Sequence, residues 1–346
     1  MAKIIINGRF LIHRITGVER FAREIVRELD RIVKPGEYEI ACPPETEKIL
    51  ELKNIKVVKI GRLHNQLWEH ISFPLYVKKR KAVSLNLCNV GPLLDPGIVC
   101  IHDMKVRAKP EYFSKKFMLW YRILFFNAAR RAKKLLTVSD FSKNEIIKYY
   151  NVESDKISVV PNGWQHLERI SCDENVLRKE ALQKGTYFFS MCSLEPNKNF
   201  RWIAETAKKN VSETFVVAGS VNNKIFSNGL GFECPSNMRL IGYVSDEEAK
   251  TLMQNCKAFL FPSFYEGFGI PPLEAMSTGR PVVVSDIPVM HEIFGTTARY
   301  INPMDVGVNL NETMMKKVDD CFCVLEKYSW EKSARMMARI NRNTIL

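Results

Sequence analysis

Short runs of Val, Ile and Leu alternate along this chain with longer stretches whose apolar positions recur every three to four residues, the pattern of parallel strands joined by helices. In the first half, strands are expected at Lys3 to Ile6, Tyr38 to Ala41, Ile55 to Lys59, Ser84 to Leu87, Ile98 to Ile101, Lys134 to Val138 and Ile157 to Val160. Helices fit between most of them, notably Val18 to Val33 and Lys115 to Ala132. Val159-Val160-Pro161-Asn162-Gly163 breaks the rhythm with a strand end and turn residues, as a hinge would. A second series follows, with strands at Tyr187 to Cys192, Thr214 to Ala218, Met238 to Ile241, Ala258 to Pro262 and Pro281 to Ser285. Ser142 with Glu145, and Ser245 with Glu248, are spaced as capping boxes that start helices. Two such series predict an α/β protein of two facing, doubly wound Rossmann-like domains, residues 1–163 and 164–327, followed by a helical segment 328–346. Ligands of such sheets bind beyond the strand carboxyl ends, so a cleft between the domains is the expected site.

The length of 346 residues agrees with two domains of roughly 150 residues each. Apolar residues at 46% and charged residues at 26% exclude a disordered or fibrous chain. The longest greasy stretch, Phe117 to Ala129, is interrupted by Arg122 and Asn127 and falls short of the ~20 residues a spanning helix needs. Near the start, Ile4, Ile5 and Ile6 are too few for a signal-peptide core, and a cytoplasmic protein is expected. Nine cysteines without a C-x-x-C pair read as reduced thiols, and the histidines show no metal-ligand spacing.

The net charge of +13 lies wholly within residues 1–160; the remainder is neutral. Between Lys78 and Lys134, 14 basic residues face only Asp95, Asp103 and Glu111. Such an excess points to an anionic partner, a lipid surface or a nucleic acid. No zinc spacing, RNA-recognition signature or basic zipper accompanies it, so no nucleic-acid partner is expected. The clusters Lys78 to Lys81, Arg130-Arg131 and Lys133-Lys134 admit two readings. One is a solvated basic face over a buried stripe of Phe117, Trp120, Tyr121, Phe125 and Phe126. The other is peripheral adsorption to an anionic membrane, where each basic residue contributes about 1 kcal/mol.

The most informative segment runs from Phe261 to Ser285. A strand ends, a loop carries Glu266-Gly267-Phe268-Gly269-Ile270, and Pro271-Pro272 can open a helix whose first turn would hold Glu274. Backbone N–H groups at a helix start favour an anion, and the glycines let the backbone approach a ligand closely.

Here the chain resembles the retaining glycosyltransferases of family 4, whose two-domain architecture is called GT-B. Glu266 and Glu274 match the family's E-x7-E motif, together with the intervening Gly-Phe-Gly and the following Glu274-Ala275-Met276 and Gly279-Arg280-Pro281-Val282-Val283. The likeness extends to Asn7-Gly8-Arg9, Thr16-Gly17-Val18-Glu19-Arg20, Ile101-His102-Asp103, Thr137-Val138-Ser139, Val160-Pro161-Asn162-Gly163, the stretch Leu194 to Asn199 and Ile241-Gly242-Tyr243-Val244-Ser245. It is greatest for the mannosyltransferase-like members that build bacterial O-antigen, capsule or exopolysaccharide.

The resemblance implies a hexose transferred from a nucleotide diphosphate sugar, with GDP-mannose as the leading donor, onto a saccharide or lipid-linked oligosaccharide acceptor. Glu274 would hold the donor ribose and Glu266 would face the transferred sugar. The amides of Gly267, Phe268, Gly269 and Ile270 would meet the sugar and diphosphate, Lys198 would neutralise the diphosphate, and His102 would position the sugar. Gly17, in the loop after the first strand, would approach the diphosphate, and Val244 would lie by the nucleobase. The last helix would cross back onto the first domain. No metal or other cofactor is implied, because a helix dipole and a cation suffice for the leaving group. The chain departs from the family at Cys192-Ser193, where an Arg is usual, at Asn197, often basic, and at Thr16, often a second glycine. A nucleotide-sugar epimerase of the same architecture and a non-catalytic binding protein are the rival readings.

Overall fold

A computed structural model describes residues 3–47, 49–193, 195–219 and 234–345. Leu194, part of one family-like stretch, lies outside the described residues. The chain divides into two compact units, residues 1–162 with 328–346, and residues 163–327.

The first unit is built on β1 (Ile4–Asn7), β2 (Tyr38–Cys42), β3 (Lys56–Lys59), β4 (Val83–Asn86), β5 (Ile98–Cys100), β6 (Lys134–Thr137) and β7 (Ile157–Val159). They pair in parallel in the order β3-β2-β1-β4-β5-β6-β7. Every residue of β1, β2, β4 and β5 is buried, as expected of a sheet covered on both faces. At the edge, β3 exposes Lys56 and Lys59, charges that discourage pairing with another chain. After β1 the backbone turns so tightly over β2 that a Cβ on Gly8 would lie 2.7 Å from the Ala41 carbonyl oxygen.

The helix Gly17–Ile32 opens on a capping box, with Glu19 accepting from the Thr16 backbone N–H at 3.2 Å. Gly17 is therefore the first helical residue and not part of the preceding loop, because Thr16 takes the cap position. A second correction concerns Ser142. The helix Asp140–Tyr150 is capped three residues earlier by Ser139, whose hydroxyl accepts from the Ser142 N–H at 3.0 Å. Ser142 is buried instead and donates to the His102 carbonyl at 3.0 Å.

The last helix, Trp330–Ile345, belongs to this first unit and lies against Gly17–Ile32. Trp330 meets Phe21 with ring centroids 6.1 Å apart, Asn341 Nδ2 donates to the Tyr38 hydroxyl at 3.1 Å, and Ser333 donates to the Pro161 carbonyl at 2.7 Å.

The second unit contains β8 (Tyr187–Met191), β9 (Thr214–Ala218), β10 (Met238–Gly242), β11 (Ala258–Phe261), β12 (Val282–Ser285) and β13 (Arg299–Ile301). The order is β10-β9-β8-β11-β12-β13, again all parallel. Phe188, Phe215, Trp202, Leu260 and Val283 form its core. The capping box of Ser245 and Glu248 is present and starts the helix Asp246–Asn255. β13 was not expected from the sequence: it is three residues long and half polar, so no apolar run marks it.

Trp330 is 1% exposed, so Trp330→Ala should destabilise the first unit by about 3–5 kcal/mol, read as a lowered urea midpoint with an unchanged slope. A shift below about 1 kcal/mol would mean that the terminal helix is not integral to that unit.

Candidate functional site

Each sheet reverses its strand order once, between β1 and β4 and between β8 and β11. At such a reversal the loops leaving the two strands diverge to opposite faces, and a crevice opens beyond their carboxyl ends. Both crevices hold charged side chains.

In the second unit, the turn Pro196–Lys198 follows β8 and the loop with Glu266 follows β11. Lys198 Nζ donates to Glu266 Oε1 at 2.8 Å and lies 5.4 Å from the Phe261 ring centroid. Burial disfavours the ammonium, but the Glu266 carboxylate outweighs it through charge and hydrogen bonding, and the Lys198 pKa is raised. Asparagines tie the two loops together. The Phe264 N–H donates to the Asn197 carbonyl at 2.8 Å, Asn197 Nδ2 donates to the Tyr265 carbonyl at 3.4 Å, and Asn199 Nδ2 reaches the Pro262 and Pro303 carbonyls at 3.0 and 2.8 Å. Asn197, where the resemblance leads one to expect a basic residue, is thus a loop staple. Cys192 sits near where the resemblance leads one to expect an Arg; burial pushes its thiol pKa up to about 12, so it stays neutral and adds no charge.

The helix Ile270–Ser277 begins on Gly269, whose φ of +107° is a left-handed value open to glycine. A Cβ there would also stand 3.0 Å from Met290 Cε. Pro271 and Pro272 have no N–H, which leaves Ile270 the sole N–H donor among the first three helical positions. Because the helix starts at Ile270, Glu274 falls in its second turn and not its first. The dipole at the helix start therefore does not account for this carboxylate. Its partner is His166, whose Nε2 lies 2.8 Å from Glu274 Oε1 in a buried contact. No local pattern marks His166, which lies 108 positions earlier. Phe268 and Val244 are buried; Val244 follows β10, with Tyr243 exposed beside it.

In the first unit, a cavity of about 410 Å³ lies at the β1/β4 reversal, lined by Asn7, Arg9, Thr16, Glu69, Asn89 and Tyr121 among others. Buried Glu69 organises it. Glu69 Oε1 accepts from Asn7 Nδ2 at 2.9 Å, and Oε2 pairs with the Arg9 guanidinium. Asn7 Nδ2 also donates to Asn86 Oδ1 at 3.0 Å, and Asn7 Oδ1 accepts from the Arg9 backbone N–H at 3.2 Å. Nothing in sequence singles out Glu69, because its distant partners meet it only in the fold.

His102 follows β5 in the same unit. Its backbone N–H donates to Asn89 Oδ1 at 2.8 Å, its Nε2 lies 2.8 Å from the Leu87 carbonyl, and its ring stands edge-on to Phe21 at 4.8 Å. A carbonyl only accepts, so Nε2 carries the proton. Burial lowers the His102 pKa despite the Leu87 carbonyl and the Asp103 and Glu19 carboxylates, and the ring is neutral. Among the described residues, no three His, Cys, Asp or Glu side chains gather as a metal site would require.

Residues 15–165 match the model described as Glycosyltransferase Family 4, and residues 173–303 match Glycosyl transferases group 1. The chain is also 34% identical over 257 residues to the O-antigen chain mannosyltransferase RfbU of Salmonella typhimurium, covering 71% of this chain and 69% of that one. The chain belongs to the family 4 glycosyltransferases. Another relative of this family 4 enzyme, O-antigen chain mannosyltransferase B of Escherichia coli, is 28% identical over 269 residues, 69% of this chain and 68% of that protein. Among solved structures, sucrose-phosphate synthase from Thermosynechococcus elongatus matches with a TM-score of 0.75 and 13% identity, covering 100% of this chain and 99% of that one. At that identity the likeness shows the fold, and the fold of this glycosyltransferase is GT-B.

The lowered His102 pKa fixes a pH dependence. An unfolded histidine takes up its proton near 6.5, whereas the buried ring resists until lower pH, so the stabilisation is complete above about 6.5 and is lost as the pH falls through the folded value. The first unit should melt at progressively lower temperature from about pH 7 to about pH 5, and less steeply in His102→Gln. Equal slopes in the two proteins would remove His102 from this role.

Proposed function

We propose that this glycosyltransferase moves a hexose from a nucleotide diphosphate sugar to a saccharide acceptor with retention of configuration and without a divalent metal. The observation that carries the reading is the Lys198–Glu266 pair at the reversal of the second sheet, beside the glycine-led helix that bears Glu274.

A diphosphate needs local positive charge. The Lys198 ammonium supplies a point charge, and the start of the Ile270–Ser277 helix supplies a partial one. Glu266, which pairs with Lys198 in the structure, is left to accept a sugar hydroxyl once phosphate oxygens take over that contact. His166 occupies Oε1 of Glu274, which orients the carboxylate so that Oε2 can accept from the ribose. Gly267, Phe268, Gly269 and Ile270 contribute backbone to the sugar and diphosphate, Gly17 approaches the diphosphate at the start of its helix, and Val244 borders the base. In the first unit, neutral His102 positions the sugar without exchanging a proton, and the Asn7–Glu69–Arg9 network presents fixed donors and acceptors to a hydroxyl-rich acceptor.

Retention follows if the incoming hydroxyl attacks from the face that the diphosphate leaves, with the departing phosphate taking its proton. No protein nucleophile is then needed, in contrast to retaining glycosidases, whose carboxyl groups flank the bond about 5 Å apart. The names of the two O-antigen relatives support mannose as the sugar; GDP-mannose as donor and a lipid-linked saccharide of surface polysaccharide assembly as acceptor complete the proposal.

Calorimetry and transfer assays across GDP-, UDP-, ADP- and TDP-sugars test the reading. Glu274→Ala should weaken nucleotide binding about tenfold or more, and unchanged affinity would contradict the ribose role. Lys198→Ala should lower turnover about 100-fold, since it removes the charge that stabilises the leaving group. Transfer should survive EDTA, with the product anomer matching the donor by NMR; loss of activity on chelation would defeat the metal-free mechanism. Donor consumed at full rate without acceptor would indicate an epimerase.

A further inference from the structure

Large apolar side chains stand in solvent on two neighbouring helical segments of the first unit. The segment Asn65–Lys79 runs through Asn65–Leu67, Trp68–Ser72 and Phe73–Lys79, and it buries Trp68, Phe73 and Val77. Its opposite side carries Leu67, Ile71 and Leu75, four residues apart and so on one stripe. The helix Lys115–Arg131 buries Leu124, Phe125 and Ala128, and it bares Leu119, Ile123 and Phe126. These six side chains are between 44% and 62% exposed. The buried aromatic stripe expected from sequence is thus only partly present: Phe125 faces the core, while Phe126 and Phe117 face solvent.

The rings of His70 and Trp120 meet edge-on at 5.6 Å and bring the two segments side by side. Exposed Leu94 joins them, because Asn127 Nδ2 donates to the neighbouring Leu93 carbonyl at 2.8 Å. Basic side chains predominate around these faces, with exposed Asp95 beside Leu94 and exposed Glu111 ahead of the second segment. Residues 78–81 close the first segment with four exposed basic side chains, and Lys115, Lys116, Arg130 and Arg131 stand exposed at the ends of the second. Arg130 lies over the Phe126 ring at 5.6 Å.

A solvated helix face carries polar residues, and a surface for nucleic-acid phosphates has no use for bare Leu and Ile. Apolar side chains ringed by Lys and Arg suit a boundary that is greasy below and anionic above. We infer that this face docks the protein on an anionic phospholipid bilayer, with Leu67, Ile71, Leu75, Leu119, Ile123 and Phe126 entering the headgroup region. The same two segments supply Glu69 and Tyr121 to the cavity at the β1/β4 reversal, so docking brings that cavity to the membrane surface. Its use for a lipid-linked acceptor rests on the proposed transferase reading, whereas the docking itself does not.

The test is co-sedimentation of the full chain with vesicles of phosphatidylglycerol in phosphatidylcholine, in the absence of any sugar. Partition should be about tenfold or more above that on pure phosphatidylcholine and should fall as salt is raised. The double variant Leu75→Glu with Phe126→Glu should lose about tenfold in partition while its melting temperature stays unchanged, and Lys78→Glu with Lys79→Glu should lose a similar amount. Equal partition by the apolar double variant, equal binding to neutral vesicles, or binding to an RNA oligonucleotide in preference to vesicles would overturn the inference. None of these results bears on donor binding, so failure here is separable from failure of the transferase reading.

Discussion

A parallel sheet that reverses its strand order has one place where neighbouring strands send their following segments to opposite faces, and there the carboxyl ends stay uncovered. Both sheets of this protein meet that constraint, and both place charged side chains at it. After β8 and β11 come Lys198 and Glu266; after β1 and β4 come the Asn7–Arg9 turn and the Leu87–Asn89 loop. The residues that could do chemistry are brought together by topology, since 68 positions separate Lys198 from Glu266 and 60 separate Arg9 from Glu69.

Position alone would leave these loops to wander, and the structure fixes them with amides. Asn197 and Asn199 offer neutral side chains to carbonyls of the facing loop and do not compete for the ammonium of Lys198. That ammonium then has one strong partner, Glu266, in partly buried surroundings where an unpaired charge would be costly. In the proposed reading, an arriving diphosphate would replace the carboxylate as counter-charge without leaving the cation bare. The first unit uses another arrangement. There the carboxylate of Glu69 is central, and an amide and a guanidinium are held around it, so the cavity presents a balanced polar wall with no net anion trap.

Much of this was legible in the sequence because parallel strands buried on both faces must be apolar throughout. The expected strands from Lys3 to Val160 and from Tyr187 to Ser285 correspond to β1 through β12 within a residue or two at each end. β13 escaped because Arg299 and Tyr300 at a sheet edge need not be buried. Helix starts were harder to place. Two serines flank Asp140, and hydroxyl spacing alone favoured Ser142 over the true cap, Ser139. Side-chain partners were hidden altogether. Neither His166 beside Glu274 nor Glu69 beside Arg9 leaves a trace in local pattern, because each contact joins segments that only the packed sheet brings near.

Charge follows the same division of labour. The second half of the chain is neutral, so an anionic ligand there would have to be held by a few oriented groups and not by a long-range field. At physiological salt such a field fades within about 8 Å, and one ammonium plus one helix start in a crevice act inside that distance. The first half has the opposite problem. Its excess of 13 positive charges is spread mostly over exposed Lys and Arg, whose summed charge would favour an extended anionic surface. Bare leucines and a phenylalanine among those charges would complete such a pairing on lipid, a charged surface with hydrocarbon directly beneath it.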